Sequence, residues 1–307
     1  MWDLTKVLPI ARIVPGIAQS YIRRKPCTVS FDVTYSCSLN CTYCYYKYTK
    51  PGDQLDEEAM LTRIYEVSKE FTVYHATFVG GEPTLRPRLL EKAVELFPHT
   101  WILTNGVRGF PDSIQPSSWV VALDGTEEIH DKYKGKGIHR RVVDNINDCK
   151  TVIFSNTTLH KQNHHCIEEL VEEMRGTNLK YMTFSFYTPV GLGQDNDNSE
   201  FALSKNDKIE IISRIAAIRK KYPEFIFFTP LMEHYYHPDR GYNQWNREEN
   251  CPVAIIGRHY GADGILQSPC AMGPSADCSQ CGCGMNTIFL ALIHGDIKTM
   301  KILMDLI

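Results

Sequence analysis

The chain reads as an α/β protein built on a parallel sheet, and two patterns carry that reading. Short apolar, β-rich runs recur along Val29–Ser36, His75–Gly81, Trp101–Gly106, Trp119–Gly125, Thr151–Thr158 and Tyr181–Pro189, with helix-compatible stretches between them. Past residue 222 the alternation stops: Pro, Gly, Asn and His become frequent and cysteines crowd together, as in a small appendage to the α/β unit.

Residues 1–25 come first, and their apolar positions Ile10, Ile13, Val14, Ile17 and Tyr21 fall at helical spacing before the basic end Arg23-Arg24-Lys25. Arg12 and Pro15 break the run, which is too short for a membrane span or a signal peptide. A cytoplasmic protein is expected. This segment either packs over one end of the fold or makes peripheral contact with a membrane surface. After the first strand, the helix that follows has Asp53 as its candidate cap, acidic Asp56, Glu57 and Glu58 in its first turn, and Met60, Ile64, Val67 and Phe71 along one side. A later helix is expected over Ser204–Lys221 with Ile209, Ile212, Ile215, Ala216 and Ile218 inward, and one closing helix over Asn286–Ile307. The boundaries are thus 1–25 for the amphipathic segment, 26–222 for the main α/β unit and 223–307 for the cysteine-rich extension.

With 307 residues and a formal net charge of −3, the chain can bury a sizeable core and shows no basic run that would draw nucleic acid. Eleven cysteines are many for such a chain, and disulfide frameworks belong to short secreted domains. Cys27, Cys149 and Cys166 stand alone and read as packed small hydrophobes or loop thiols. The other eight fall into two groups.

Cys37, Cys41 and Cys44 follow the first strand directly on one tight loop. Three thiolates can hold three irons of a [4Fe-4S] cube and leave the fourth iron open. Structural zinc wants four closed ligands, and no His or Cys in the next twenty residues supplies the fourth. The spacing CxxxCxxC, with Tyr43 just before the last cysteine, resembles the cluster motif of the radical S-adenosylmethionine (SAM) superfamily. The end of the next strand, Gly80-Gly81-Glu82-Pro83, resembles that family's GGEP motif. The resemblance spans about residues 26–190. It implies a partial (β/α)6 TIM-type barrel in which GGEP meets the methionine amino group of SAM. It also implies reductive cleavage of SAM to a 5'-deoxyadenosyl radical, fed by an electron donor such as flavodoxin or ferredoxin. Strand ends carry the site in barrel enzymes, so Asn105, Asp124 and Asn156 are candidates for the SAM carboxylate and ribose, and Tyr187 with Pro189 for the adenine. Each is also an ordinary turn or cap residue.

The second group is Cys251, Cys270, Cys278, Cys281 and Cys283. It resembles the SPASM or twitch extensions that hold an auxiliary [4Fe-4S] cluster, with compressed terminal spacing; Cys251, Cys270, Cys278 and Cys281 are the first choice of ligands and Cys283 the replacement. Structural zinc and free thiols are the alternatives. The basic stretch before the first strand, Asp124-Gly125-Thr126 and His130-Asp131 are similar to the hopanoid adenosyl-transferring branch, which implies a lipid or isoprenoid substrate. Peptide maturation and small-metabolite chemistry are the other enzyme readings, and a non-catalytic iron–sulfur carrier the reading from another class.

Overall fold

Eight strands line up in one sheet in the computed structural model, which describes residues 4–46, 52–190, 199–274 and 276–306. They are β1 (Thr28–Asp32), β2 (His75–Val79), β3 (Thr100–Thr104), β4 (Ser118–Ala122), β5 (Ile153–Leu159), β6 (Tyr181–Phe186), β7 (Gly257–Tyr260) and β8 (Leu266–Gln267). Their order is β6-β5-β4-β3-β2-β1-β7-β8, parallel from β6 to β7 and antiparallel only at β8. The first six are the expected ones, each shorter than its apolar run; five runs extend into the loop that follows, whereas β5 starts two residues into its run and ends one past it.

β7 is the strand that periodicity missed. Gly257-Arg-His-Tyr260 has no apolar alternation, yet it pairs in register with β1, Thr28 opposite Gly257 and Ser30 opposite His259. What holds it is aromatic packing: Phe31 lies 5.5 Å from Tyr260 and 6.0 Å from Phe78, so one fully buried ring ties β7, β1 and β2 together. The extension therefore contributes two strands to the main sheet.

Helices cover the outer face. Helix α1 (Leu4–Arg23) opens the chain; α2 (Glu57–Glu70) buries Met60, Ile64 and Val67. Its cap is Asp56, whose side chain accepts from the Ala59 amide at 2.8 Å, three residues after the expected Asp53. Next come α3 (Pro87–Ala93), α4 (Glu127–Lys134), α5 (Ile138–Asp148), α6 (Ile167–Met174) and α7 (Lys205–Lys221). Ser204 and Asp207 form a capping box at the start of α7, and Ile211, Ile212, Ile215 and Ile218 are buried, with Ile209 and Ala216 half-buried. In the extension lie α8 (Pro230–Tyr236), α9 (Pro252–Ile256), α10 (Gly284–Ile293) and α11 (Ile297–Asp305). The expected single closing helix is two, because Gly295 takes φ +74° and ends the first. Helix α10, apolar on nearly all sides, is buried between α1 and α8. Among the described residues no helix is long and apolar enough to cross a membrane.

The core holds four buried histidines whose basicity burial suppresses: His99 and His160 down to about 4, His130 to about 3, and His75 well below the ordinary value. Unfolding frees each to take a proton near pH 6.5, so this share of stability is complete above 6.5 and is lost as pH falls toward the folded values. The urea midpoint should drop between pH 7 and pH 5, each histidine contributing about 1.4 kcal/mol per pH unit. A midpoint constant across that range would contradict this account.

Candidate active site

The site begins where β1 and β2 end. Main-chain pairing runs on past both strands: Val33 donates to the Val79 carbonyl at 2.9 Å, Gly81 to Thr34 at 2.8 Å, and Glu82 to Ser36 at 2.9 Å. A Cβ on Gly80 would stand 2.4 Å from the Thr34 oxygen, and one on Gly81 2.2 Å from the Ser36 oxygen. Only glycine fits there, and Gly80 also takes φ +133°. This docking presents the cysteine loop beside the Gly-Gly turn.

Cys37 is exposed and its sulfur accepts from the Leu39 amide at 3.4 Å and from Asn105 Nδ2 at 3.8 Å. Cys41 and Cys44 line a cavity of about 430 Å³ inside the sheet's curve. Burial pushes the Cys41 thiol up to about 11, and Cys37 and Cys44 stand near enough to add to the effect. Cys41 and Cys44 thus stand at the cavity, and Cys37, exposed on the same loop, is their electrostatic neighbour.

Glu82 turns inward. It is fully buried, and its carboxyl group accepts four hydrogen bonds: the Thr84 amide at 3.1 Å and hydroxyl at 2.6 Å, the Thr104 hydroxyl at 2.7 Å, and the Asn105 amide at 2.9 Å. Pro83 starts the short turn that folds Thr84 back onto it. Glu82 therefore braces the end of β3 against the end of β2, while Gly80 and Gly81 face the cavity.

Asp124, at the end of β4, is 3% exposed with Lys134 Nζ 3.1 Å from its Oδ2. Burial raises the Asp124 carboxyl, but Lys134, His130 and hydrogen bonds from Tyr43 and Lys134 together hold it below its ordinary range. Lys134 is a site residue that sequence reasoning missed; its signal is a lysine closing a helix just before the Gly135–Gly137 turn. Tyr43 packs among His160, Tyr133 and Phe201 at 5.2, 5.6 and 5.8 Å between ring centroids, and Tyr187 joins the same cluster. Asn156 Oδ1 accepts from Ser185 Oγ at 2.8 Å, which aims its side chain along the cavity wall.

All five cysteines of the second group line another cavity, of about 240 Å³. Cys251, Cys270 and Cys283 are electrostatic neighbours of Cys281, whereas the groups acting on Cys278 are Glu248, Asp277 and Glu249. The reason lies at Gly282. Its amide donates to Thr188 Oγ1 at 2.8 Å, its carbonyl accepts from Phe186 at 2.9 Å, and a Cβ there would meet the Phe186 oxygen at 1.9 Å. Pinned to the end of β6, this turn carries Cys283 into the wall between the two cavities, where Tyr45, Leu103, Met272 and Met285 complete the partition. Among the described residues no three His, Cys, Asp or Glu side chains gather as ligands of one metal ion; the thiols surround cavities instead. Of the lone cysteines, Cys27 and Cys166 are buried and Cys149 half-buried.

An open parallel α/β sheet with a thiol triplet at the end of its first strand and a glycine cradle at the end of its second defines the class. Residues 31–174, just under half of the chain, match the Radical SAM superfamily. Mycofactocin maturase of Mycolicibacterium smegmatis is 27% identical over 144 residues, 44% of this chain and 36% of that protein. The S-adenosylmethionine-dependent nucleotide dehydratase of Flammeovirga pacifica is 26% identical, with 61% and 71% covered. Among solved structures, Streptococcus suis SuiB bound to precursor peptide SuiA has a TM-score of 0.64 at 14% identity, covering 94% of this chain and 69% of that one. Native anSMEcpe with bound AdoMet has 0.63 at 15%, covering 90% and 83%. The chain thus spans about a third of the length of the mycofactocin maturase, and these structural likenesses show the fold.

Glu82→Gln should place an amide against donors that now have an acceptor, lowering stability by about 1–3 kcal/mol in urea unfolding and weakening SAM binding by calorimetry as Asn105 loosens. Unchanged stability would refute the bracing role. Lys134→Met strands Asp124 as an uncompensated buried charge and should cost about 3–5 kcal/mol. Adding Asp124→Asn should recover most of that loss, and a double variant no more stable than the single one would rule out the pairing.

Proposed function

We propose that this chain is a radical SAM enzyme that cleaves S-adenosylmethionine by one-electron reduction at a [4Fe-4S] cluster and carries out radical chemistry on an organic substrate. The observation that supports the reading is the main-chain docking that sets the cysteine loop beside Gly80–Gly81, with Cys41 and Cys44 lining the same cavity as the two glycines. The donor set fits the group: Cys41 and Cys44 at the cavity, Cys37 electrostatically close to both on the same loop, and a glycine cradle open to a close approach. When bound, the cluster and SAM supply one-electron cleavage of a carbon–sulfur bond.

The chain's own residues then have these tasks. Cys37, Cys41 and Cys44 hold three irons. The main chain at Gly80 and Gly81 receives the SAM amino group, and Glu82 keeps that turn and Asn105 in place. Asn105 and Asn156 serve the polar edge of SAM, and the Asp124–Lys134 pair its ribose and carboxylate. Tyr43, His160, Phe201 and Tyr187 wall the adenine side. The apolar lining, with Trp101, Leu103, Phe154 and Met285, excludes water. In the second cavity Cys251, Cys270, Cys281 and Cys283 would ligate an auxiliary [4Fe-4S] cluster, Cys283 replacing Cys278 in the set that spacing suggests. A flavodoxin or ferredoxin is the electron donor in this reading.

A peptide is the substrate class that the similar proteins support, since two of them are maturation proteins by name and SuiB is seen with its precursor peptide. The apolar lining of the cavity favours a second reading, a lipid or isoprenoid chain. Perdeuterated lipid extract and deuterated precursor peptides, offered separately, distinguish them by which one delivers deuterium into 5'-deoxyadenosine.

Anaerobically reconstituted protein with SAM and dithionite should release 5'-deoxyadenosine. In the variant Cys37→Ala, Cys41→Ala, Cys44→Ala, iron should fall from about eight to about four per chain, with 5'-deoxyadenosine lost. Full iron retention or undiminished 5'-deoxyadenosine in that variant would defeat the assignment.

A further inference from the structure

A row of polar side chains crosses the inner face of the sheet beside the second cavity, and none of it is used above. Ser30 and Asp32 sit two residues apart on β1 and so point to the same side; His259 on β7 is in register with Ser30. The Ser30 hydroxyl is 2.7 Å from His259 Nδ1, and His259 Nε2 is 3.2 Å from Asp32 Oδ2. Asp32 is fully buried and His259 is 3% exposed, while Ser30 is half-buried and, with His259, lines the cavity that holds the five thiols. Tyr46 donates to the other Asp32 oxygen.

Such an arrangement has a definite protonation logic. An imidazole whose Nδ1 faces the serine hydroxyl can accept its proton, and the carboxyl 3.2 Å from Nε2 would stabilise the imidazolium through charge. Burying a carboxyl and an imidazole in a barrel interior is costly unless they serve each other. The third member is a serine whose hydroxyl opens onto the cavity between Thr28 and Thr77. The other titratable groups lining that cavity or facing this row are His75 on β2, Tyr35, Tyr45 and Tyr46 after β1, Arg247, Glu248, Arg258 and the thiols themselves.

We propose that Ser30, His259 and Asp32 form a proton-accepting relay for the second cavity, taking up one proton when that cavity takes up one electron. Cys251, Cys270, Cys281 and Cys283 would hold the auxiliary cluster there, and that cluster would supply a one-electron acceptor, filled by the substrate radical in turnover or by dithionite in a titration. An N–H or O–H group of the substrate, or water, gives its proton to the Ser30 oxygen as the Ser30 proton passes to His259 Nδ1, and the imidazolium rests against Asp32. The relay suits a substrate that must lose a proton from nitrogen or oxygen together with its electron. This inference rests on the auxiliary-cluster reading.

The test is an electron-paramagnetic-resonance potentiometric titration of the reconstituted full chain from pH 6 to 9, with iron counted first. A preparation holding only the Cys37/Cys41/Cys44 cluster sinks the auxiliary-cluster reading itself. With two clusters present, a tenfold fall in proton concentration should lower the auxiliary midpoint by about 59 mV, because added negative charge strengthens proton binding. His259→Gln should flatten that slope and leave the potential of the first cluster in place. Ser30→Ala keeps the Asp32–His259 contact and is safe for folding. It should shift the pH at which the slope sets in. A pH-independent wild-type potential, a sloped His259→Gln profile, or a Ser30→Ala profile superimposable on wild type each overturns the proposal; if His259→Gln does not hold its second cluster, the wild-type and Ser30→Ala profiles decide.

Discussion

At the ends of β1 and β2 two stretches of main chain lie closer than any side chain would permit, and the site is arranged around that contact. Hydrogen bonds from Gly81 and Glu82 to the Thr34 and Ser36 carbonyls carry the sheet ladder beyond the last paired residues. Because both chains are held through backbone atoms, the cysteine loop is oriented by β2 as much as by its own strand. Glu82 then links the assembly to β3 by accepting from Thr104 and Asn105, and Asn105 reaches back to Cys37. Three consecutive strand ends are thereby locked to one another, which is the preorganisation that the proposed chemistry needs.

Charge inside the sheet follows a consistent rule. Where an ionisable group is buried, a partner comes from a neighbouring element: Lys134 from α4 for Asp124 on β4, His259 from β7 for Asp32 on β1, and His99 for His75, whose Nδ1 atoms are 2.8 Å apart. Only one of those two facing nitrogens can carry a proton, so burial keeps that pair neutral. These partners stabilise particular geometries more than they stabilise the fold, since a buried pair gives back little beyond its own desolvation.

The two thiol groups are neighbours across a thin partition. Thr77, Leu103, Thr188, Met272, Cys283 and Met285 border both cavities, so a group held in the second would face the first across single side chains. That closeness depends on Gly282, whose seat against Phe186 leaves no room for a Cβ. The extension is consequently part of the barrel wall: it supplies β7 to the sheet, α10 to one end, and Cys283 to the partition.

Local chemistry was legible from the chain alone. Six strands announce themselves by apolar runs, the helix from Ser204 by its apolar spacing, and the thiol triplet and Gly-Gly-Glu-Pro turn by residue types that need a loop and a close approach. What stayed hidden depends on partners far away in the chain. β7 has no apolar period of its own and is a strand because Phe31, more than two hundred residues earlier, packs on Tyr260. Glu82 looks like a ligand-facing acid until Thr104 and Asn105 fold onto it. Ser30, Asp32 and His259 are unremarkable one by one, and become a relay only when β1 and β7 fall into register. Sequence decides what short stretches can do, through turn, strand and helix preferences that act over a few residues. Which atoms meet across the sheet is set by packing and pairing between distant segments, and those contacts exist only once the strands have assembled in their order from β6 to β8.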